Sequence, residues 1–304
     1  SFEINKKFKI NKLDIETTLD LDKLIFSKKF IDLSAYLKNT KEEILFEKNK
    51  IQINYKKDKL KVKGTGSIFF TDKSEQITYE IIKNNDQFSF DTKFNIKDNS
   101  FQIVPLNYEK KEDVNSIIII NGDFKKGNLL KFKTISLEEN KNKILINNLK
   151  LDKNFKVLDI EKANINYKNK NKILNKINLR KDNSNFIIEG DNLDLSKLID
   201  NIMDNDDENS SIFENLNSRV DINIKKTYID EINHLNNLSG YIILKNNKIN
   251  NLILDADFPN DKNISLTVLT NDAKETTTSL ITDYPKPLIK RYKFIKGFEE
   301  GNLN

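Results

Sequence analysis

The stretch Gln87–Ile96 reads Q-F-S-F-D-T-K-F-N-I and alternates between apolar and polar residues. One side of the alternation holds Phe88, Phe90, Phe94 and Ile96, and the other holds Gln87, Ser89, Asp91, Lys93 and Asn95. A period of two residues is typical of a β-strand, because successive side chains point to opposite faces of the sheet. The stretch therefore predicts a strand with one apolar face and one wet face.

The same period continues through most of residues 44–189. Further strands are predicted at 51–55, 60–62, 68–71, 77–82, 101–104, 117–120, 129–137, 144–146, 165–167, 177–179 and 186–188, and after residue 211 at 220–224, 239–244, 251–257 and 264–269. Turn-prone residues separate them at 57–58, 84–86, 98–99, 121–123, 140–142 and 168–171. Since nothing helical of crossover length lies between them, the pattern predicts a long antiparallel meander rather than βαβ units.

Short helices interrupt this pattern. The stretch 192–200, N-L-D-L-S-K-L-I-D, predicts a helix capped by Asp194 or Ser196. Similar sequences at 19–25 and 31–37 predict a helix at about 27–39. A third helix is predicted at 287–293. The expected fold is all-β with a few short helices, in three segments, 1–43, 44–190 and 191–304, that form one continuous unit. The start at Ser1 and the end just after a turn favour a fragment of a longer protein.

Composition argues against several classes of function. Among 304 residues, 51 basic and 46 acidic side chains are mixed along the whole length, whereas a nucleic-acid groove gathers basic residues on one face. There is no cysteine, so neither a disulfide framework nor a thiolate site is expected. No apolar run approaches the ~20 residues that span a bilayer.

Residues for catalysis or metal binding are also missing. His234 is the one histidine, and we expect it to be a surface or turn residue rather than a base or a ligand. Gly64-Thr65-Gly66 lacks the rest of a phosphate loop, which favours a bulge or a turn. The acidic stretch 204–211 is predicted to be a solvated loop; the alternative, a calcium site, lacks the glycine and the distal glutamate of an EF-hand. No enzyme, cofactor or metal is expected.

The apolar face of such a sheet has to be covered. The two or three short helices are too few, which leaves a sandwich or barrel whose inner faces meet, or a curved sheet that forms a trough of lipid size. Periodicity alone favours the sandwich or barrel.

The sequence of the C-terminal segment changes that preference. Four apolar runs precede the predicted helix at 287–293, which is followed by Gly297 and Gly301. The runs are L-S-G-Y-I-I-L (238–244), I-N-N-L-I-L-D-A-D-F (249–258), I-S-L-T-V-L-T (264–270) and T-S-L-I-T-D (278–283). This order of strands, Thr-Asp turn, helix and glycine-containing strand start resembles the AsmA-like family of bacterial envelope proteins, with its YhdP and TamB types. The L-D-L phrases before helices are also similar to that family.

The resemblance implies a periplasmic protein, anchored in the inner membrane by a helix outside this segment. Such proteins carry phospholipid between the inner and outer membranes along an apolar β-groove. The partners would be phospholipid acyl chains and, through other regions, both membranes, with no nucleic acid. The alternating segments are expected to line the groove without charged residues in phase. The lining residues would be Phe88, Phe90, Phe94, Ile96, Phe101, Ile103, Phe132, Ile144, Ile146, Phe186 and Ile188, each with the alternative of an ordinary core residue.

Two other functions stay open. One is a scaffold or assembly factor for outer-membrane proteins, which would act through exposed strand edges. The other is a surface β-repeat or adhesin-like module.

Overall fold

The computed structural model of the chain describes residues 2–4, 10–27, 34, 36–37, 39–125, 130–152, 156–196 and 216–292. The fold is all-β, as predicted, and in each part the strands form an open, mostly antiparallel sheet rather than a closed barrel. The chain divides into an N-terminal unit, Ser1–Val104 with Tyr108–Phe155, and a C-terminal unit, Pro105–Asn107 with Lys156–Asn304. The three predicted segments do not coincide with these units.

The N-terminal unit is the predicted meander. Its described strands are β1 (Phe2–Ile4), β2 (Ile10–Ser27), β3 (Glu43–Lys56), β4 (Lys59–Phe69), β5 (Ser74–Asn84), β6 (Gln87–Ile96), β7 (Phe101–Ile103), β8 (Tyr108–Lys110), β9 (Ser116–Lys125), β10 (Leu130–Glu139) and β11 (Asn142–Leu151). Strands β1 to β6 pair in chain order, β6 pairs with β9, and β9 to β11 continue, all antiparallel. The connection between β6 and β9 holds a separate hairpin of β7 and β8, with a 3-10 helix at Val104–Leu106.

The C-terminal unit departs from the prediction at one strand pair. Its described elements are β12 (Val157–Asp159), β13 (Lys162–Lys168), β14 (Leu174–Asp182), β15 (Asn185–Asp194), β16 (Ser218–Tyr228), β17 (His234–Lys245), β18 (Lys248–Asp257), β19 (Asn263–Thr270), β20 (Thr276–Thr282) and helix α1 (Lys286–Tyr292). Strands β15 and β16 run parallel, whereas β13–β15 and β16–β20 pair antiparallel. This parallel pair is an exception to the predicted antiparallel meander. A parallel pair needs a crossover of about a dozen residues or more, and residues 195–217 supply that length.

The three predicted helices have different outcomes. Helix α1 confirms the prediction at 287–293 within one residue. The predicted cap at Asp194 is present, because its Oδ1 accepts a hydrogen bond from the backbone N–H of Ser196 at 2.9 Å. The remainder of that helix, the acidic stretch 204–211 and most of the predicted helix at 27–39 lie outside the described residues. The first L-D-L phrase, 19–25, which precedes the helix predicted at about 27–39, lies inside β2 and pairs with β3.

Most predicted turns are hairpin turns. At the predicted turn 57–58, and also at 246–247, where no turn was predicted, both central residues have positive φ, which is the backbone of a type I′ turn between paired strands. The predicted turn at Asn121-Gly122-Asp123 is wrong, because these residues lie inside β9. Gly122 instead allows the backbone of β10 to approach β9 closely, as described below.

The core of the C-terminal unit lies under α1. Leu288 of this helix packs with buried residues of the strands, among them Ile224, Leu238 and Phe258. The ring of Phe258 meets that of Tyr284, just before the helix, edge to face at 5.3 Å between centroids. The short helix therefore closes part of the apolar side of this sheet.

Candidate functional site

The strand register of the N-terminal unit places apolar side chains on one side of the sheet. Phe90 of β6 lies opposite Ile81 of β5 and Gly122 of β9, and Gly122 lies opposite Phe132 of β10. Similar rows run across β3 to β6 and β9 to β11, and we call this side of the sheet the apolar face. The predicted lining residues on this face are Phe88, Phe90, Phe94, Ile96, Phe132, Ile144 and Ile146.

Gly122 leaves room for an aromatic contact across the apolar face. Phe90 and Phe132 stand on strands separated by β9, yet their rings meet edge to face at 5.9 Å between centroids. A side chain at Gly122 would stand 2.1 Å from the carbonyl oxygen of Lys131, so only glycine fits between these strands. The centre of the apolar face therefore holds an aromatic pair that spans β9.

The opposite side of the same sheet is wet. Lys61 and Lys63 of β4 pair with Glu80 of β5 at 3.0 and 2.9 Å. Their hydrogen bonds hold the pKa of the Glu80 carboxyl below its usual range. The two sides of the sheet thus differ in chemistry, as the alternation in Gln87–Ile96 predicts.

Four predicted lining residues lie elsewhere. Phe101 and Ile103 belong to β7, in the hairpin between β6 and β9. Phe186 and Ile188 belong to β15 of the C-terminal unit, where Phe186 is buried and Ile188 packs against the core under α1. The structure therefore brings seven of the eleven predicted residues together on the apolar face.

Exposure of the apolar face changes along each strand. On β5, Glu75 is 2 % exposed and Ile77 5 %, whereas Ile81 is 39 % exposed. We call the end of the sheet that holds Glu75 and Ile77, together with the connection between β6 and β9, the closed margin. It comprises residues 68–75, 96–104, 108–116 and 137–142. The opposite ends form the open margin, residues 55–60, 83–88 and 124–125, where Phe124 is 38 % exposed. The apolar face is thus accessible from one side.

A buried carboxylate organises the closed margin. Glu75 accepts hydrogen bonds from the backbone N–H groups of Lys97 at 2.7 Å and of Asn99 at 2.6 Å, and from the Asn99 side-chain amide at 2.8 Å. These bonds hold the chain that follows β6 against the start of β5. A charge-assisted bond to a buried carboxylate is stronger than a neutral one, so this end of the face is firmly closed.

The β7–β8 hairpin adds a second buried group of polar residues. Lys110, fully buried, donates to the carbonyl oxygens of Lys97 at 2.5 Å and of Asn99 at 2.6 Å. Burial lowers the pKa of its ammonium, against the opposing attraction of Glu75 and Glu139. Tyr108 donates its hydroxyl to the Glu139 carboxylate, and burial, reinforced by this bond, raises its pKa well above the usual range.

The raised pKa of Tyr108 predicts a loss of stability at high pH. In the unfolded chain a tyrosine ionises near pH 10, whereas folded Tyr108 stays protonated, so its stabilisation is complete below about pH 10 and is lost above it. Tyr108→Phe should lower the free energy of unfolding at pH 7 by roughly 1–3 kcal/mol, because Glu139 loses a donor. Between pH 7 and pH 11 the difference from the unmodified protein should shrink by about 1.4 kcal/mol. Urea unfolding at both pH values measures this; a difference that does not change with pH would contradict the assignment.

The charged residues of the closed margin were not predicted. Glu75, Lys83 and Glu139 stand in phase with apolar neighbours on β5 and β10, so the expectation of no charged residues in phase is wrong. Glu75 and Glu139 are tolerated there because they are hydrogen-bonded, and Lys83 because it is exposed. A carboxylate at an apolar position of an alternating segment was the signal that could have found the closed margin.

Gly64 and Gly66 lie inside β4, not in a turn. The register of β3 shifts between Glu47 and Lys50, opposite Gly66, which confirms a bulge, although in the partner strand. The ring of Tyr79 covers Gly64, and the side chain of Asn49 covers Gly66. The two glycines therefore make room for larger side chains on the apolar face.

Other kinds of site find no support in the described part of the chain. His234 begins β17 beside the ring of Tyr228, at 5.5 Å between centroids, and burial lowers its pKa. Among the described residues no group of three or more His, Cys, Asp or Glu side chains is arranged to hold a metal ion. Within the same ranges no helix has the length and apolar character to cross a membrane.

Comparison with protein-family models, with curated proteins and with solved structures finds no match to this chain. Fold and site alone define an all-β protein whose N-terminal sheet has one apolar face, accessible from one margin. The resemblance to the AsmA-like family stays a prediction.

Proposed function

We propose that the chain binds phospholipid acyl chains along the apolar face, as a segment of a periplasmic protein that carries phospholipid between the inner and outer membranes. The observation that carries the proposal is the continuity of this face across β3–β6 and β9–β11 with partly exposed apolar side chains. Contiguous exposed apolar surface of this kind marks an interaction site.

An acyl chain fits the chemistry of this face. Burial contributes about 0.8 kcal/mol per methylene group, and the lining needs no hydrogen-bond partner for the chain. A head group can remain in water at the open margin, where Phe124 is exposed and close to which Ile81 is exposed as well. Binding of a soluble peptide would instead leave its backbone N–H and C=O groups unpaired against Phe90 and Phe132. The resemblance to the AsmA-like family supports the envelope location and the route between membranes.

The first test is lipid extraction from the purified chain, followed by native mass spectrometry. We expect bound phospholipid in the unmodified protein and its loss in Phe90→Asp, because the new carboxylate stands in the centre of the apolar face beside Phe132. Ile81→Asp should have the same effect at little cost in stability, since Ile81 is 39 % exposed. Circular dichroism should show unchanged strand content in both variants.

Lys93→Asp provides the matched control. It places the same carboxylate on the same strand, at an exposed position on the wet side of the sheet. Lipid should be retained in this variant. A lipid-free unmodified protein, or a folded Ile81→Asp protein that keeps its lipid, would overturn the proposal.

A second candidate function depends on β20. Among the described residues this strand pairs only with β19, so its other edge offers free backbone groups. Exposed edges can accept a strand from another protein, as a scaffold or assembly factor for outer-membrane proteins would require. A folded but lipid-free protein in the test above would favour this function.

A further inference from the structure

The open margin carries unpaired positive charge. Lys57, Lys59, Lys83 and Lys125 are exposed there, and in the part of the chain that the structure describes none of these four forms an ion pair. Of the nearby carboxylates, Asp14 faces Lys56 at 3.8 Å and Asp58 accepts the hydroxyl of Tyr55 at 2.9 Å. Asp86, in the turn between β5 and β6, is the remaining acidic residue of this margin. Lysines therefore dominate its charge.

Lys83 stands where the apolar face meets this charge. The register places it in one row with Leu60, Phe88 and Phe124, and its Nζ lies 6.0 Å from the centre of the Phe88 ring. Lys59 and Lys125 lie at the neighbouring strand ends of β4 and β9, about 14 Å apart as judged from the spacing of three strands, where the register pairs them with Asn84 and Gln87 on the wet side of the sheet. A molecule whose apolar part lies on the face would present its polar end to the ammonium group of Lys83, at a margin where the other lysines raise the positive potential.

The closed margin excludes the opposite orientation of a bound amphiphile, with its head group at that end of the face. The β7–β8 hairpin covers the apolar face there, and the charged groups it buries, Glu75, Lys110 and Glu139, already have partners. Glu112, exposed nearby, is paired with Lys73 at 2.6 Å. An amphiphile thus has one way to lie on the face, with its tail toward the closed margin and its head group at the open one.

Resting on the function proposed above, we propose that the open margin selects phospholipids whose head group carries a net negative charge. The phosphate would lie against Lys83, on the apolar face, while Lys57 in the adjoining turn and Lys59 and Lys125 on the wet side of the same margin add to the positive potential. A zwitterionic head group also carries a positively charged ammonium group. The same lysines repel this group, which cancels most of the attraction to the phosphate. Each lysine near an anionic lipid surface contributes enough to change binding about fivefold.

The test is a competition between two lipids. The purified chain is incubated with vesicles of phosphatidylcholine and phosphatidylglycerol in equal amounts, re-isolated, and its bound lipids are quantified by mass spectrometry. We expect phosphatidylglycerol to be enriched about tenfold or more over phosphatidylcholine. Replacing Lys57, Lys59, Lys83 and Lys125 together with glutamine should bring the ratio near one while total lipid is retained.

A charge-matched variant separates the effect of the lysines at the open margin from the effect of the protein's net charge. Replacing Lys23, Lys50, Lys93 and Lys141 with glutamine removes the same charge from exposed positions outside the open margin, and the enrichment should persist. Equal binding of both lipids by the unmodified protein would overturn this inference but leave the proposed function standing. A loss of enrichment in the charge-matched variant would also overturn it. Binding of neither lipid would overturn the proposed function itself.

Discussion

Glu75→Ala is expected to lower the free energy of unfolding by about 3–5 kcal/mol, the cost of breaking a buried charged cluster by removing one partner. Three donors, two from Asn99 and one from Lys97, would lose their acceptor in a buried environment. Lys110, fully buried, would at the same time lose one of the carboxylates that offset the cost of burying its charge. Few single substitutions outside a packed core cost so much.

Glu80→Ala is the matched control for this experiment. Both glutamates belong to β5, but Glu80 lies on the wet side and pairs with Lys61 and Lys63 at the surface. Exposed ion pairs contribute about 0–1 kcal/mol, so the control should be nearly as stable as the unmodified protein. Urea unfolding followed by circular dichroism compares the two variants. Equal losses would mean that the closed margin is not held by Glu75.

The alternation of apolar and polar residues predicted much of the fold. Strand β6 has the bounds of the quoted stretch Gln87–Ile96, and the seven lining residues on the apolar face all come from alternating segments. This succeeded because one wet side and one apolar side impose a period of two on the sequence itself. The predicted hairpin turn at 57–58 was similarly local, set by adjacent residues that tolerate positive φ.

The closed margin could not be predicted in the same way. Its contacts join β5 to Asn99, and β10 to Tyr108, across long separations in sequence. Only the register of the folded sheet brings Glu75 and Glu139 to one end of the apolar face. The lysines of the open margin were hidden for a similar reason, because they are spread over four strand ends among many other lysines.

The two L-D-L phrases stand at different places in their strands. At 19–25 the phrase has β3 beside it along its whole length and continues as β2. At 192–200 the strand ends at Asp194, whose carboxylate turns to the N–H of Ser196. The parallel pairing of β15 with β16 then requires the chain to cross over, which a helix signal alone does not reveal.

Gly240→Ala is expected to destabilise the protein by roughly 4 kcal/mol, from about 1–3 kcal/mol for overpacking and about 1–3 kcal/mol for strained backbone. Gly240 has a φ of +141°, a conformation that other residues rarely adopt. An added Cβ would stand 2.0 Å from the carbonyl oxygen of Ile253 on β18, and a backbone atom of a central strand pair cannot move aside as a side chain can. Ser239→Ala, at the exposed neighbouring position, should change the stability by no more than about 0.5 kcal/mol. Chemical denaturation of both variants distinguishes them. A tolerated alanine at Gly240 would mean that β17 and β18 separate more easily than their register implies.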